Sequence, residues 1–206
     1  MEADAVMFFV KRLDELLDAA RAPLAAFLKC QARDLVFIPN ATVAVATVLH
    51  NLRLAPGDEV LVTEHEYPAC MNAMRAFAGT HGAAINTASI PFPIHSPDDV
   101  LQAVQSRLTP RTKLALLSHV TSSSGLILPI QELVRSLESK GIVTLVDGAH
   151  APGFVDGLDL DALGASYYTA NLHKWLCAPK GTAFLHVRDD RRIDRAPLVR
   201  LPGGFR

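Results

Sequence analysis

Residues 129–150 read PIQELVRSLESKGIVTLVDGAH, and the order of events in this stretch decides the fold. Pro129 to Lys140 predicts a helix with Gly141 beyond it, and Ile142 to Val146 a strand apolar enough to be buried on both faces. The strand runs into Asp147-Gly148-Ala149-His150, so a carboxylate leaves a hydrophobic strand at its tip. The same alternation continues upstream. Leu114 to Ser118 and Ala84 to Ile90 read as strands, with Pro97 to Leu108 between them as a helix begun by Ser96 and Asp98. Glu59 to Thr63 is a buried strand after the Pro56-Gly57-Asp58 turn, and Ala69 to Ala78 a helix ended by Gly79. Leu35 to Ile38 is a short apolar run, followed by Asn40-Ala41-Thr42 and an Ala/Val-rich helix to Leu54 that Asn40 or Thr42 caps. Val6 to Leu28 sets Phe9, Leu13, Leu16, Leu17, Ala20, Leu24 and Phe27 at three- and four-residue steps, an amphipathic helix bent at Pro23. Downstream, Gly181 to Val187 reads as another strand. Short apolar strands alternating with helices predict an α/β domain whose mostly parallel sheet is covered on both faces. Ligands of such sheets bind at the carboxyl ends of the strands, which directs attention to the residues just after each one.

The 206 residues are half hydrophobic, and 20 Lys+Arg against 21 Asp+Glu leave a formal charge of -1. That composition supplies a sizeable core and excludes disorder. A field this weak gives no hold on nucleic acid or an anionic membrane. No apolar run approaches the roughly 20 residues of a bilayer span, and no signal peptide is indicated. Cys30, Cys70 and Cys177 stand far apart with no CxxC pair, which suits a reducing, cytoplasmic setting. Eight histidines without compact ligand spacing make no zinc site. With no linker, repeat or low-complexity tract, one domain is expected.

Two residues stand out chemically. Asp147 at a strand tip reads equally as a turn cap or as a charge held for a protonated ring nitrogen. Lys174, in Tyr167-Tyr168-Thr169-Ala170-Asn171-Leu172-His173-Lys174-Trp175, reads as an ordinary solvated lysine or, in a crevice, as a desolvated amine that attacks an aldehyde. Together they are the pair that pyridoxal phosphate requires, with the lysine forming a Schiff base and the acid keeping the pyridine nitrogen protonated.

VDGAH at 146–150, NLHKWLCAPKG at 171–181, PNAT at 39–42 and EHEYPAC at 64–70 resemble the class V aminotransferase group of fold-type I pyridoxal-phosphate enzymes. The likeness is strongest to its isopenicillin N epimerase-like and cysteine desulfurase-like members, and it runs in family order through nearly the whole chain. It implies a three-layer α/β/α large domain with a mostly parallel central sheet, pyridoxal 5'-phosphate as cofactor and an amino acid as substrate. It also implies that residues 1–206 are this cofactor-binding large domain. The family's N-terminal His-Gly-Ser-Phe-like segment and its C-terminal small domain, with the arginine that grips the substrate carboxylate, fall outside the match.

Carried onto this sequence, the resemblance makes Lys174 the Schiff-base lysine, Asp147 the partner of the pyridine nitrogen, and His150 a neighbour of the phenolate oxygen or of the lysine; these three are the catalytic set. Asn40, Ala41 and Thr42 open a helix after a strand, where backbone N–H groups and the Thr42 hydroxyl hold the phosphate, and a helix cap uses those same donors. His173 and Asn171 match phosphate-binding positions, with Thr169 a weaker candidate. A flat cover for the ring falls to Tyr67 by counting from the downstream helix, or to His65 by the local Glu-His string; Tyr67 is preferred. Ser122, with Thr121 next, takes the place of the donor to the ring oxygen. Cys177 lies in a structural segment and Cys70 reads as a packing residue, so neither is expected to be a desulfurase-type thiol.

Three functions follow. The first is a pyridoxal-phosphate enzyme, or its cofactor domain, most like the epimerase-type members, with desulfurase, lyase and aminotransferase chemistry as neighbours. The family dimerises, so the full-length protein is expected to be a homodimer. The second is a catalytically silent truncated homologue that only binds cofactor or mediates association. The third, a nucleotide-binding doubly wound domain, lacks both GxGxxG and GxxxxGK[ST].

Overall fold

A computed structural model describes residues 4–192 of the chain. Seven strands, β1 (Leu35–Ile38), β2 (Glu59–Thr63), β3 (Ala84–Ala88), β4 (Thr112–Ser118), β5 (Val143–Asp147), β6 (Tyr167–Asn171) and β7 (Ala183–Val187), form one sheet in the order β1-β7-β6-β5-β4-β2-β3. Neighbours from β3 across to β6 are parallel, and β7 runs antiparallel to both β6 and β1. The helices are α1 (Ala5–Met7), α2 (Leu13–Leu28), α3 (Ala41–Asn51), α4 (Pro68–His81), α5 (Pro97–Gln105), α6 (Ile130–Glu138) and α7 (Leu160–Leu163), with a π-helical turn over Phe8–Arg12 between the first two. No helix among the described residues is long and apolar enough to cross a membrane.

Successive strand residues point to opposite faces, and both faces are covered. Leu61, Leu117 and Val146 pack with Leu28 of α2, Val104 of α5, Leu133 and Leu137 of α6 and Leu160 of α7. Val62, Leu116 and Leu145 pack on the other side with Val45 of α3 and Met74 of α4. Each such side chain contributes about 1.5–3 kcal/mol by burial, so the two apolar layers hold the sheet between them. This is the expected three-layer α/β/α arrangement with a mostly parallel sheet.

Several element ends depart from the sequence reading. α4 runs through Gly79 to His81 and stops at Gly82, whose φ of 64° carries its N–H back to the last carbonyls. Glycine inside a helix costs only about 1 kcal/mol, so the left-handed residue, not the first glycine, ends it. α5 is opened by Ser96 with Asp99 rather than Asp98, because Asp99 Oδ2 accepts from the N–H groups of Ser96 (3.0 Å) and His95 (2.7 Å). The N-terminal stripe is helical, yet only its last turn reaches the core: Ala25 and Leu28 are buried, whereas Phe9, Leu16 and Phe27 are exposed. α3 ends at Asn51 and β3 at Ala88, short of Leu54 and Ile90.

Strand register levels the site. Ser118 of β4 lies opposite Asp147 of β5, and Asp147 opposite Thr169 of β6, so β4 and β5 end level and β6 runs on to Asn171 beside them. The turn after Asp147 then passes directly over the Tyr168 ring: a methyl group added to Gly148 would overlap the Tyr168 hydroxyl.

Candidate active site

A crevice of about 470 Å³ opens at the carboxyl ends of β4, β5 and β6, against the first turn of α3. Asn40, Ala41 and Thr42 line it from α3, Ser122 from the loop after β4, and Asp147 and His150 from the end of β5. Asn171, His173 and Lys174 line it from the end of β6, and Tyr67 from just before α4. The tertiary fold thus brings together all the catalytic and cofactor-binding candidates singled out from the sequence except His65, Thr121 and Thr169.

Asp147 is 4% exposed. Its Oδ1 accepts the Ala149 N–H (3.0 Å) and its Oδ2 the Cys70 thiol (3.3 Å). Burial pushes its carboxyl above the ordinary range, against the pull of those two donors and of the Lys174 and His150 charges. A carboxylate accepts at about four positions, so two donors leave this buried acid with capacity directed at the crevice it lines. Lys174 Nζ lies 2.9 Å from His150 Nε2. Burial lowers the pKa of Lys174 and also that of His150, the latter helped by the charge of Lys174. The imidazole is therefore neutral at physiological pH, with Nε2 accepting from the lysine amine.

The start of α3 is partly committed. Asn40 Oδ1 accepts the Val43 N–H and so caps its own helix, while Asn171 Oδ1 accepts the Ala41 N–H, both at 2.9 Å. Of the first three helical N–H groups, that of Thr42 alone has no hydrogen-bond partner among the described residues, fewer free donors than a bare helix end offers. The Thr42 side chain lies near the Cys70 thiol and pulls its pKa down against the effect of burial. His173 Nδ1 donates to the Thr182 carbonyl at 2.9 Å, which orients the ring and leaves Nε2 as its other polar atom.

Other candidates stand elsewhere. His65 does not line the crevice; its N–H meets Thr63 Oγ1 at 3.3 Å and its ring stands 4.0 Å from the Glu64 carboxylate. Thr169 is buried and spends its hydroxyl on the Phe184 carbonyl (2.7 Å), tying β6 to β7. The Thr121 hydroxyl accepts the Leu126 N–H and meets Ser124, holding the turn that presents Ser122. Cys177 is exposed outside the crevice. Cys70 is buried behind Asp147, and burial together with that acid's charge raises its thiol, which acts as a donor rather than a nucleophile.

Two groups went unnoticed in the sequence. Glu66, 7% exposed, accepts from Ser118 Oγ (2.6 Å) and Thr63 Oγ1 (2.7 Å), and burial lifts its carboxyl to about 7. Nothing in Glu64-His65-Glu66 tells this inward acid from Glu64, which turns out to Ser89 and the Ile90 N–H. His119, which burial lowers to about 4, meets the buried Tyr168 hydroxyl at 2.9 Å. A histidine just past one strand and a tyrosine inside another are the only trace this pair leaves in the sequence.

Residues 4–204 match the family model for class V aminotransferases. The isopenicillin N epimerase of Amycolatopsis lactamdurans is 40% identical over 203 residues, covering 97% of this chain and 51% of that protein. A putative L-cysteine desulfhydrase of Oryza sativa subsp. japonica is 31% identical over 201 residues, covering 90% of this chain and 42% of that protein. Among solved structures, a complex between the cystine C-S lyase C-DES and its product cysteine persulfide matches with a TM-score of 0.81 at 27% identity, over 86% of this chain and 47% of that one. A C-DES mutant with glycine covalently linked to the PLP cofactor matches at 0.78 and 26%, over 86% of this chain and 46% of that one. The chain spans about half the length of the curated relatives it matches.

Proposed function

The chain belongs to the class V aminotransferase family, and from that premise we propose that residues 1–206 form a large domain that binds pyridoxal 5'-phosphate and acts on an amino acid. The observation that carries this reading is the under-supplied buried carboxylate of Asp147 sharing one crevice with the desolvated amine of Lys174. The residues present fit the cofactor's three functional groups: an acid for the ring nitrogen, an amine for the aldehyde, and a helix start with polar neighbours for the phosphate.

When bound, the cofactor supplies an electron sink for negative charge at the α-carbon of the amino acid. Asp147, held by Cys70 and Ala149, keeps a proton at the ring nitrogen. Lys174 would hold the cofactor's aldehyde and would take up and return the proton at the substrate α-carbon. Burial lowers its pKa, which favours the free base both tasks need, and His150 accepts its N–H and orients it. The Thr42 N–H, the Thr42 hydroxyl, Asn171 and His173 hold the phosphate, with Asn40 and Ala41 shaping that turn. Tyr67 covers the ring and Ser122 donates to its oxygen.

An epimerase-type outcome, with the proton returned to the α-carbon, is favoured by the 40% and 36% identities to two isopenicillin N epimerases. A desulfurase-type outcome needs a thiolate at the substrate, and no thiol lines the crevice among the described residues. A homodimeric, cytoplasmic full-length protein belongs to the same reading.

The test is to add pyridoxal phosphate to the purified chain, follow the visible absorbance, then reduce with borohydride and map the modified peptide by mass. The wild type should gain a band and carry the cofactor mass on Lys174; Lys174→Ala should lose both. Cofactor mass on another lysine, or none on the folded wild type, overturns the reading. A spectral change on adding amino acids separates turnover from binding alone.

A further inference from the structure

At the end of the sheet opposite the crevice, we propose that Asp34, Asp161 and His186 form a binding site for a divalent cation of zinc-like chemistry. His186 lies on β7 across from Leu35 of β1 and Tyr168 of β6, Asp34 immediately precedes β1, and Asp161 lies on α7. Each offers one ligand atom, and the three atoms all lie within 4.8 Å of one another.

The pair of acids alone would be unremarkable; the histidine points to a ligand. His186 is 2% exposed, and neither ring nitrogen has a hydrogen-bond partner. Nε2 stands 3.9 Å from Asp161 Oδ1, beyond hydrogen-bond reach. Asp34, 5% exposed, meets only the Arg192 guanidinium at Oδ1, an ion pair at 3.2 Å. An unmet buried polar group costs on the order of 1–3 kcal/mol, so a buried imidazole with both nitrogens unmet needs a compensating partner.

The donor set selects the cation. A neutral imidazole has a ring-nitrogen lone pair to give. One imidazole nitrogen and two carboxylate oxygens match a three-ligand zinc site with an open position, and the imidazole disfavours magnesium and calcium. Zinc ligands lie about 2.0–2.2 Å from the metal and so roughly 3.4 Å from one another in a tetrahedron, and a pair at the 4.8 Å limit must close by roughly 1.4 Å. Asp161, half-exposed on a four-residue helix, has the freedom to do so.

The surrounding charges permit the exchange. Arg192 contacts Asp34 Oδ1 at 3.2 Å, Lys29 contacts Asp159 at 3.8 Å, and Arg188 is taken by Glu138 and Asp190. A dication arriving at Asp34 displaces only the Arg192 contact. Cys30 is not among the residues whose ligand atoms meet there.

The test uses the full chain, stripped by a chelator and titrated with zinc chloride by calorimetry and thermal melting. One zinc per chain should bind, with a rise in Tm that magnesium at equal concentration does not produce. Asp161→Asn, at a half-exposed position, should weaken zinc binding by roughly tenfold or more, and His186→Gln should abolish it. Should His186→Gln not fold, Asp161→Asn decides alone. Absence of saturable binding, or zinc affinity unchanged in Asp161→Asn, overturns the site. A melting point that responds to pH but not to zinc also overturns it, in favour of a plain His186–Asp161 ion pair.

Discussion

Asp147, buried, and Glu138, partly buried, are carboxylates at opposite ends of the same sheet, and they are supplied very differently. Glu138, the last residue of α6, accepts the Thr144 N–H (3.1 Å) and hydroxyl (2.6 Å), the Ser166 N–H (3.2 Å) and hydroxyl (2.6 Å), and Arg188 Nη2 (3.0 Å). Burial works against its charge, yet the bonds from Ser166, Thr144 and Arg188 outweigh it, and the carboxyl sits below the ordinary range. Asp147 has two donors and a crevice, and burial wins. An acid with a full donor set ties α6, β5 and β6 together, while a buried one with spare acceptor positions awaits a partner from outside the chain.

Glu138→Ala should produce the largest effect, because it strands the Thr144 and Ser166 donors and the Arg188 charge together. A loss of about 3 kcal/mol in denaturant unfolding at neutral pH is expected; a loss under about 1 kcal/mol, the scale of a surface pair, would break the contrast. Asp147→Asn should move stability the other way, a gain of about 1 kcal/mol, while cofactor retention falls. A clear loss of stability in that variant would mean the acid is structurally satisfied after all. The smallest and sharpest test is pH. Glu138 is held below its ordinary 4.5, so its contribution is complete above that value and is lost as pH falls through its folded pKa. Asp147 is raised above its ordinary 3.8, so the folded state binds the extra proton and stability declines as pH rises from there through the folded value. Unfolding free energies from acid to neutral pH should show the decline vanish in Asp147→Asn and the acid loss vanish in Glu138→Ala.

Much of this was legible before the fold was known. Asp147 announces itself because it sits just past a short apolar strand, and parallel strands place such tips at one end of the sheet; Asn171, His173 and Lys174 were marked by the likeness of NLHKWLCAPKG to the family, and the strand that leads into them, β6, was not read from the sequence. Helix ends were less legible: Gly79 and Gly82 look alike in sequence, and only backbone conformation tells which one stops α4. Tyr67 and His65 were a choice between two counts; the fold turns Tyr67 to the crevice and leaves His65 off it. Glu66 could not be told from Glu64, since which one faces inward depends on Ser118, fifty-two residues away.

The sequence by itself determined the layers and the end of the sheet where chemistry gathers, because hydrophobic period and turn residues are local properties read a few positions at a time. Only the tertiary structure decided how many donors each acid receives, and that Asp34, Asp161 and His186 meet at all. Those contacts depend on β7 folding back between β1 and β6, which sets distances in space independently of separation along the chain.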